Sequence, residues 1–483
     1  MDSPLVSSLF RSLFRQRACL RPARNGAVLA HRRHITFPVA PDSSKDLWQP
    51  RSTFLQRDRS EEFGRYPMVT AKMLATRKER PKRVKMLVRD FIDDSLYNPH
   101  YGYFSKAAVI FSTPTPFPFT ELADEAAFQT LLGARYTAFE DALDAAAPSD
   151  TRQLWHTPTE LFKPHYGEAI SRYLVANYKL TLFPYSDLII YELGAGNGTM
   201  MNNILDHIRA TDPDVYARTK YRVIEISDRL AGLQRAHVAQ TTHADKIEIV
   251  NKSIFDWTTY VPDPCFFLAL EVADNFPHDM IRYDSDDRPL QGHVMVDVNG
   301  DFFEFYSPLL DPVVERFLRI RQRVARPRAA QPWRIPGLLL RRLRERLPLA
   351  PNLSQPEFVP TAMMALFDVL RDCFPAHRLL MSDFHALPDA VEGVNAPVVQ
   401  TRYKRTSIPV STPFVHQGLF DILFPTDFEV MDDMYKALTG KLTRVMKQEE
   451  FLKSWAFLEE TETTSGDNPM LNWYKNASVM SSV

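Results

Sequence analysis

Residues 187–205 read DLIIYELGAGNGTMMNNIL, and this stretch constrains the fold more than any other. A mostly apolar run ends in glycines at 194, 196 and 198, and residues 199–210 then resume a helical period. A strand turned through glycines into a helix opens a βαβ unit. YRVIEI (221–226), a helix over 228–240, KIEIV (246–250) and CFFLALEV (265–272) follow. Their alternation predicts a mainly parallel sheet, and ligands of such sheets bind beyond the carboxyl ends of the strands. Attention therefore falls on the last residue of each strand and the first of each loop.

Two nucleotides suit a glycine loop at this place. A dinucleotide fingerprint needs a small residue three places after its second glycine, where this chain has Thr199. Glu192, two residues before Gly194, would also repel a pyrophosphate. Beside the sulfonium and α-ammonium groups of S-adenosylmethionine the same carboxylate is favourable, and Gly194, Gly196 and Gly198 allow close backbone approach. Glu225, closing the second strand, can accept both ribose hydroxyls. It lies 31 residues beyond Gly194, against a usual spacing of about 20, and ATDPDVYARTK is read as an extended connection that takes up the excess. Asp256, after the third strand, is placed to meet the adenine amino group. Three acids in register on successive strands favour S-adenosylmethionine over a dinucleotide.

YELGAGNGT, YRVIEISDRLAGLQ and LEVADNFPHD, preceded by FIDDSLYNPHYGYF and TPTELFKPHYGE, resemble one family of S-adenosylmethionine-dependent methyltransferases. That family includes bacterial MidA proteins and a mitochondrial protein-arginine methyltransferase serving complex I assembly. The resemblance spans about residues 84–435 and includes DILFPTDF through Asp421, Ile422, Asp427 and Phe428. It implies a class I methyltransferase fold: a Rossmann-like, mainly parallel α/β sheet with an N-terminal helical segment, an Arg-rich insertion and a C-terminal helical extension. This chain differs from the family at Leu270, which stands where the family has Asn, at Asp383-Phe384-His385 for Asp-Tyr-Gly, and at LWHTPTE for the stretch leading into Thr-Ser-Pro-Glu.

Around this core the chain divides by composition. Residues 1–34 carry seven arginines, with Asp2 the sole acid before Asp42, and Leu5, Leu9, Phe10, Leu13 and Phe14 share one helical face. This is the pattern of a mitochondrial transit peptide, which implies a matrix protein. The expected organisation is a transit peptide over 1–40, a linker or arm over 41–82, an N-terminal helical and substrate region over 83–180 and a cofactor core over 181–312. An Arg-rich insertion over 313–352 and the remainder of the sheet with its C-terminal extension over 353–483 complete it. Val84, Leu87, Val88, Phe91 and Ile92 predict a helix ending at Asn98-Pro99, residues 121–147 predict another, and Thr159 is a candidate cap. Residues 398–410 read as an edge strand or hairpin. Between 315 and 348 lie eleven arginines and two acids. A solvated insertion with short helices is the first reading, and contact with a membrane surface or an acidic partner the second.

Lys plus Arg number 58 and Asp plus Glu 59, so no global field recruits nucleic acid. Cys19, Cys265 and Cys373 lie far apart, which points to neither a disulfide scaffold nor a metal site. For catalysis, Glu271 at the end of the fourth strand is the first candidate and Asp274 the second: paired carboxylates can orient a guanidinium and concentrate charge on one nitrogen. His278 is a candidate base for a less basic nucleophile, against a structural role. Tyr101, with Tyr103 and Phe104, is a candidate for the pocket wall against an aromatic plug, and Thr157 and Glu160 match the family's pocket motif in part. The expected function is methylation of a protein substrate, with arginine and a complex I subunit implied by the resemblance. A noncatalytic assembly factor that keeps the fold is the alternative, and the oligomeric state is left open.

Overall fold

Seven strands form the central sheet of the computed structural model, which describes residues 59–284, 286–324, 353–388, 390 and 395–482. In chain order they are β1 (Leu188–Leu193), β2 (Thr219–Glu225), β3 (Ile247–Asn251), β4 (Cys265–Leu270), β5 (His377–Phe384), β6 (Thr443–Lys447) and β7 (Ala477–Ser482). Across the sheet the order is β3-β2-β1-β4-β5-β7-β6. The first five run parallel, and β7 is antiparallel to both its neighbours. All six residues of β1 are buried, as are five of six in β4, because a central parallel strand is covered on both faces. Helices His165–Thr181, Thr199–Thr211 and Gln448–Trp455 pack on one face, and Pro312–Val324, Thr361–Cys373 and Phe428–Thr439 on the other.

A second, antiparallel sheet stands beside this core. Pro289–Val296 pairs along one edge with both Val84–Leu87 and Asp279–Tyr283, and along the other with Phe302–Ser307; Glu357–Val359 continues from Asp279–Tyr283. A third hydrophobic cluster, including Phe91, Phe414, Phe420 and Phe424, joins this sheet to helix Val88–Tyr97 and to the strand Asp421–Leu423. That cluster carries the N-terminal helix and the 421–424 segment to the loop after β4: the Tyr97 hydroxyl donates to the Asn275 carbonyl at 3.1 Å, and the Phe424 amide to the Asp274 carbonyl at 2.7 Å.

Several local expectations change. Val84–Leu87 is a strand, and the helix begins at Val88. Val84, Met86 and Val88 also alternate, and the edge of Pro289–Val296 supplies the hydrogen bonds that settle the choice. Thr157, not Thr159, caps the turn Pro158–Leu161, accepting from the Glu160 amide. The connection before β2 contains the helix Pro213–Ala217. Residues 59–82 are a packed arm with helices Ser60–Arg65 and Ala71–Leu74, and Val69 and Leu74 are buried. The hairpin over 398–410 pairs Val398–Tyr403 with Thr406–Val410. The start of the arginine-rich stretch is the packed helix Pro312–Val324, with Phe317 and Leu318 buried, Arg316 paired to Asp368 at 2.5 Å and Arg321 paired to Glu357. The rest of that stretch and the basic N-terminus lie outside the described residues. Among the described residues no helix is long and apolar enough to cross a membrane.

Candidate active site

The glycine loop leaves β1 at its carboxyl end, where Gly194 donates to the Ile224 carbonyl of β2 at 3.0 Å. Gly194, Gly196 and Gly198 have φ of 69°, 55° and 81°, a region that side chains with a Cβ rarely enter. A Cβ on Gly196 would also stand 2.8 Å from Ile110 Cδ1. Glu160 holds the loop from below: its Oε1 accepts from Asn197 Nδ2 at 2.9 Å and Thr199 Oγ1 at 2.7 Å, and its Oε2 from Ser112 at 2.8 Å and Lys163 at 3.2 Å. The loop is thus braced through the buried Glu160 carboxylate.

Two of the three predicted cofactor acids lie buried beside it. Glu192 is 4% exposed and accepts from the Tyr221 hydroxyl at 2.9 Å. Burial pushes its carboxyl up to about 7, opposed by that hydroxyl and reinforced by the charge of Glu225. Glu225 accepts from the Ser227 amide at 2.9 Å and Gln234 Nε2 at 3.1 Å, and burial again raises its carboxyl above the ordinary range. Asp256 stands apart at the solvent edge, on the turn Ile254–Asp256, where it pairs with Lys72 of the N-terminal arm at 3.1 Å.

Beyond β4 and β5 the chemistry is different. Glu271 adopts φ 54° in the turn that leaves β4, and its amide donates to the Ser382 carbonyl at 2.8 Å. A non-glycine residue in this region is a strained one, and such strain gathers at functional sites. Asp383 accepts from the Ala273 amide at 2.7 Å and the Asp274 amide at 3.2 Å, which fixes the turn. Asp421 accepts from Asn275 Nδ2 at 2.9 Å. Four carboxylates, Glu271, Asp274, Asp383 and Asp421, are thereby drawn together. Burial and the charge of Asp383 push Glu271 well above the carboxylate range; Asp274 is raised by burial and by Asp383, Asp421 and Glu271. Burial raises Asp383 to about 6 and Asp421 to about 7. None of the four is ion-paired with a lysine or arginine among the described residues, and Asp274 Oδ1 is buried without a hydrogen-bond partner.

A family model of S-adenosyl-L-methionine-dependent methyltransferases matches residues 169–446, more than half of the chain. The chain belongs to this family. A Schizosaccharomyces pombe relative, "Protein arginine methyltransferase NDUFAF7 homolog, mitochondrial", is 24% identical over 395 residues, covering 77% of this chain and 80% of its own. A Saccharomyces cerevisiae protein of the same name is 20% identical over 342 residues, covering 66% and 78%. A crystal structure from Burkholderia thailandensis with bound S-adenosyl-homocysteine shares the fold at a TM-score of 0.51 and 14% identity, over 82% of this chain and 87% of that one. The protein is an S-adenosylmethionine-dependent methyltransferase of α/β Rossmann-like fold. It is mitochondrial, as both relatives are named.

The residues of the methyltransferase fit its cofactor. The loop is a cradle that a Cβ at Gly196 would fill, and Gln234 Oε1 is a buried acceptor with no partner among the described residues. The predicted substrate residues fare less uniformly. The Tyr101 hydroxyl is engaged by both oxygens of Asp94, at 2.8 and 2.9 Å. Thr157 is spent as a helix cap, and Glu160 as the brace of the glycine loop. His278 stacks on Phe424 with centroids 3.8 Å apart, its Nδ1 donates to the Phe276 carbonyl at 2.7 Å, and burial lowers it to about 4. All four side chains are engaged by groups of the protein itself. Of the aromatic candidates, Tyr103 is buried and Phe104 stacks on Tyr97, which makes the plug the better description. Sequence reasoning missed Asp383 and Asp421 as members of the acidic cluster, although both stand in stretches compared with the family. It also missed Gln234, whose type is unremarkable on a helix until its partners are known.

Proposed function

We propose that the protein is a protein-arginine methyltransferase of the mitochondrial matrix, acting on a subunit of respiratory complex I. The observation that carries this reading is the buried cluster of Glu271, Asp274, Asp383 and Asp421, whose carboxyls are raised by burial and meet no lysine or arginine among the described residues. A guanidinium supplies the missing charge and several donors in a planar fork. The printed names of the two fungal relatives support arginine as the target, the basic amphipathic N-terminus supports the matrix, and the family resemblance supports the complex I link.

Bound S-adenosylmethionine supplies a methyl group already activated on a sulfonium. Gly194, Gly196 and Gly198 would let the backbone approach it, Glu192 would face its positive end, Glu225 would accept from its ribose hydroxyls, and Asp256, from the solvent edge, would accept from its adenine amino group. Glu271 and Asp274 orient the acceptor. Arginine, with a pKa of about 13.8, is not deprotonated in advance. Two carboxylates instead fix the fork and draw its charge toward one nitrogen, leaving the other more nucleophilic. As the new N–C bond forms, the methyl–sulfur bond would break with its electron pair left on the neutral thioether, and the acceptor nitrogen would release its proton to an ionised carboxylate of the cluster, where burial raises Asp383 to about 6 and Asp421 to about 7.

The test is incubation with methyl-labelled S-adenosylmethionine and mitochondrial extract from cells lacking the protein. Label is expected in a protein acceptor and, after hydrolysis, in methylarginine. Glu271→Ala should lower labelling by about a hundredfold or more while cofactor binding persists. Label recovered in lysine or in a small molecule would sink the arginine assignment.

A further inference from the structure

Gln234 is fully buried on helix Asp228–Val238, and its amide nitrogen donates to two different parts of the cofactor site. One contact is to the Gly196 carbonyl at 2.9 Å, and the other to Glu225 Oε2 at 3.1 Å. Both amide hydrogens are then spent. The orientation is fixed, since exchanging nitrogen and oxygen would set a carbonyl against two acceptors. The remaining oxygen, Oε1, is buried with no partner among the described residues. A residue selected for filling space here would be apolar, because a buried acceptor left unmade is unfavourable. Cγ of Gln234 also lies 4.0 Å from the place of a Cβ on Gly198, so the side chain runs along the loop it holds.

Glu225 is held on its other oxygen by the Ser227 amide, at 2.9 Å. Ser227 in turn starts the helix that carries Gln234, its hydroxyl accepting from Leu230 N. The carboxylate is therefore clamped between the beginning of the helix and a side chain from its second turn. Without Gln234, Glu225 would keep one clamp and lose its tie to the glycine loop.

We propose that Gln234 is a positioning residue, which holds the Glu225 carboxylate in register with the glycine loop so that the acid meets the ribose hydroxyls of the cofactor. The inference rests on the assignment of Glu225 to the ribose made above. Gln234 need not touch the cofactor for this: it acts through Glu225 and the Gly196 carbonyl.

The experiment compares S-adenosylhomocysteine with its 2′-deoxyribose counterpart by titration calorimetry, using the full chain and its Gln234→Met and Gln234→Leu forms. Met keeps the length of Gln and neither variant donates a hydrogen bond. The unaltered protein should prefer the ribose form by about tenfold or more, the worth of a charge-assisted hydrogen bond. In either variant that preference should collapse to about twofold or less, while affinity for the ribose form falls about tenfold. A merely structural residue would weaken both ligands equally, and an unchanged preference in a folded variant overturns the proposal. If the unaltered protein itself does not distinguish the two ligands, Glu225 is not the ribose acceptor and the underlying assignment falls with it.

Discussion

The two halves of the site treat negative charge in opposite ways. On the glycine-loop side, Glu192 and Glu225 each meet donors from the chain itself, a tyrosine hydroxyl for one and an amide side chain with a backbone N–H for the other. On the acceptor side, Asp383 is held by backbone amides and Asp421 by Asn275, yet four acids still face one another. The first half is preorganised for a ligand whose shape is constant. The second gathers carboxyls that no lysine or arginine among the described residues neutralises, and on the function proposed above the acceptor is selected there.

The difference can be broken most severely at the loop. Gly196→Arg puts a side chain on backbone at φ 55° and sets its Cβ against Ile110. The left-handed region alone costs a non-glycine residue roughly 1–2 kcal/mol, before the volume and charge of Arg fill the cradle. Affinity for S-adenosylmethionine should fall by at least about a hundredfold, and methylation with it, which calorimetry and labelling would read on a protein whose circular dichroism is unchanged. Binding that survived this substitution would remove the loop from the cofactor site.

That half of the site was also the more legible in the sequence. Glu192 and Glu225 stand at the ends of strands whose apolar runs are plain, so a rule about strand ends finds them. The acidic cluster is assembled from a distance. Asp383 meets the Ala273 amide across 110 residues, and Asn275 meets Asp421 across 146. Neither contact has a local signature, because both depend on β5 pairing beside β4 and on a short strand from another sheet. Val84–Leu87 was misjudged for a related reason: its alternation and its helical spacing coexist, and a partner strand some two hundred residues away decides between them. The sequences TRVMK and ASVMSS of β6 and β7 are short and mixed in polarity, so their place in the sheet came only from the fold.

A gentler test probes the stored charge through stability. Asp421 titrates near 7 when folded, raised by burial, against about 3.9 for an unperturbed aspartate. The folded protein therefore binds this proton more tightly than the unfolded chain does. The resulting stabilisation is fully present below the unfolded value and is lost as pH rises through about 7. Asp421→Asn keeps an oxygen for Asn275 and cannot ionise. Its Tm relative to that of the unaltered protein should rise by about 2–4 °C between pH 5 and pH 8, in thermal unfolding without ligand. A difference that did not grow with pH would mean that the carboxylate is already neutralised by something in the protein, and the acceptor half would lose its claim to unmet charge.

The smallest effect is expected from His278, which lies on the acceptor side without sharing its electrostatics. Stacked on Phe424 and held near 4 by burial, the ring is neutral throughout the physiological range, and its Nδ1 is committed to the Phe276 carbonyl. His278→Asn retains a donor in reach of that carbonyl and removes the stack, a loss of about 1 kcal/mol visible as a slightly lower Tm. The pH profile of kcat/KM between 6 and 8 should superimpose on that of the unaltered protein, because no charge has been added or withdrawn. Should its acidic limb vanish instead, the histidine would be the group that takes the proton. The cluster of Glu271, Asp274, Asp383 and Asp421 would then serve to bind the acceptor alone.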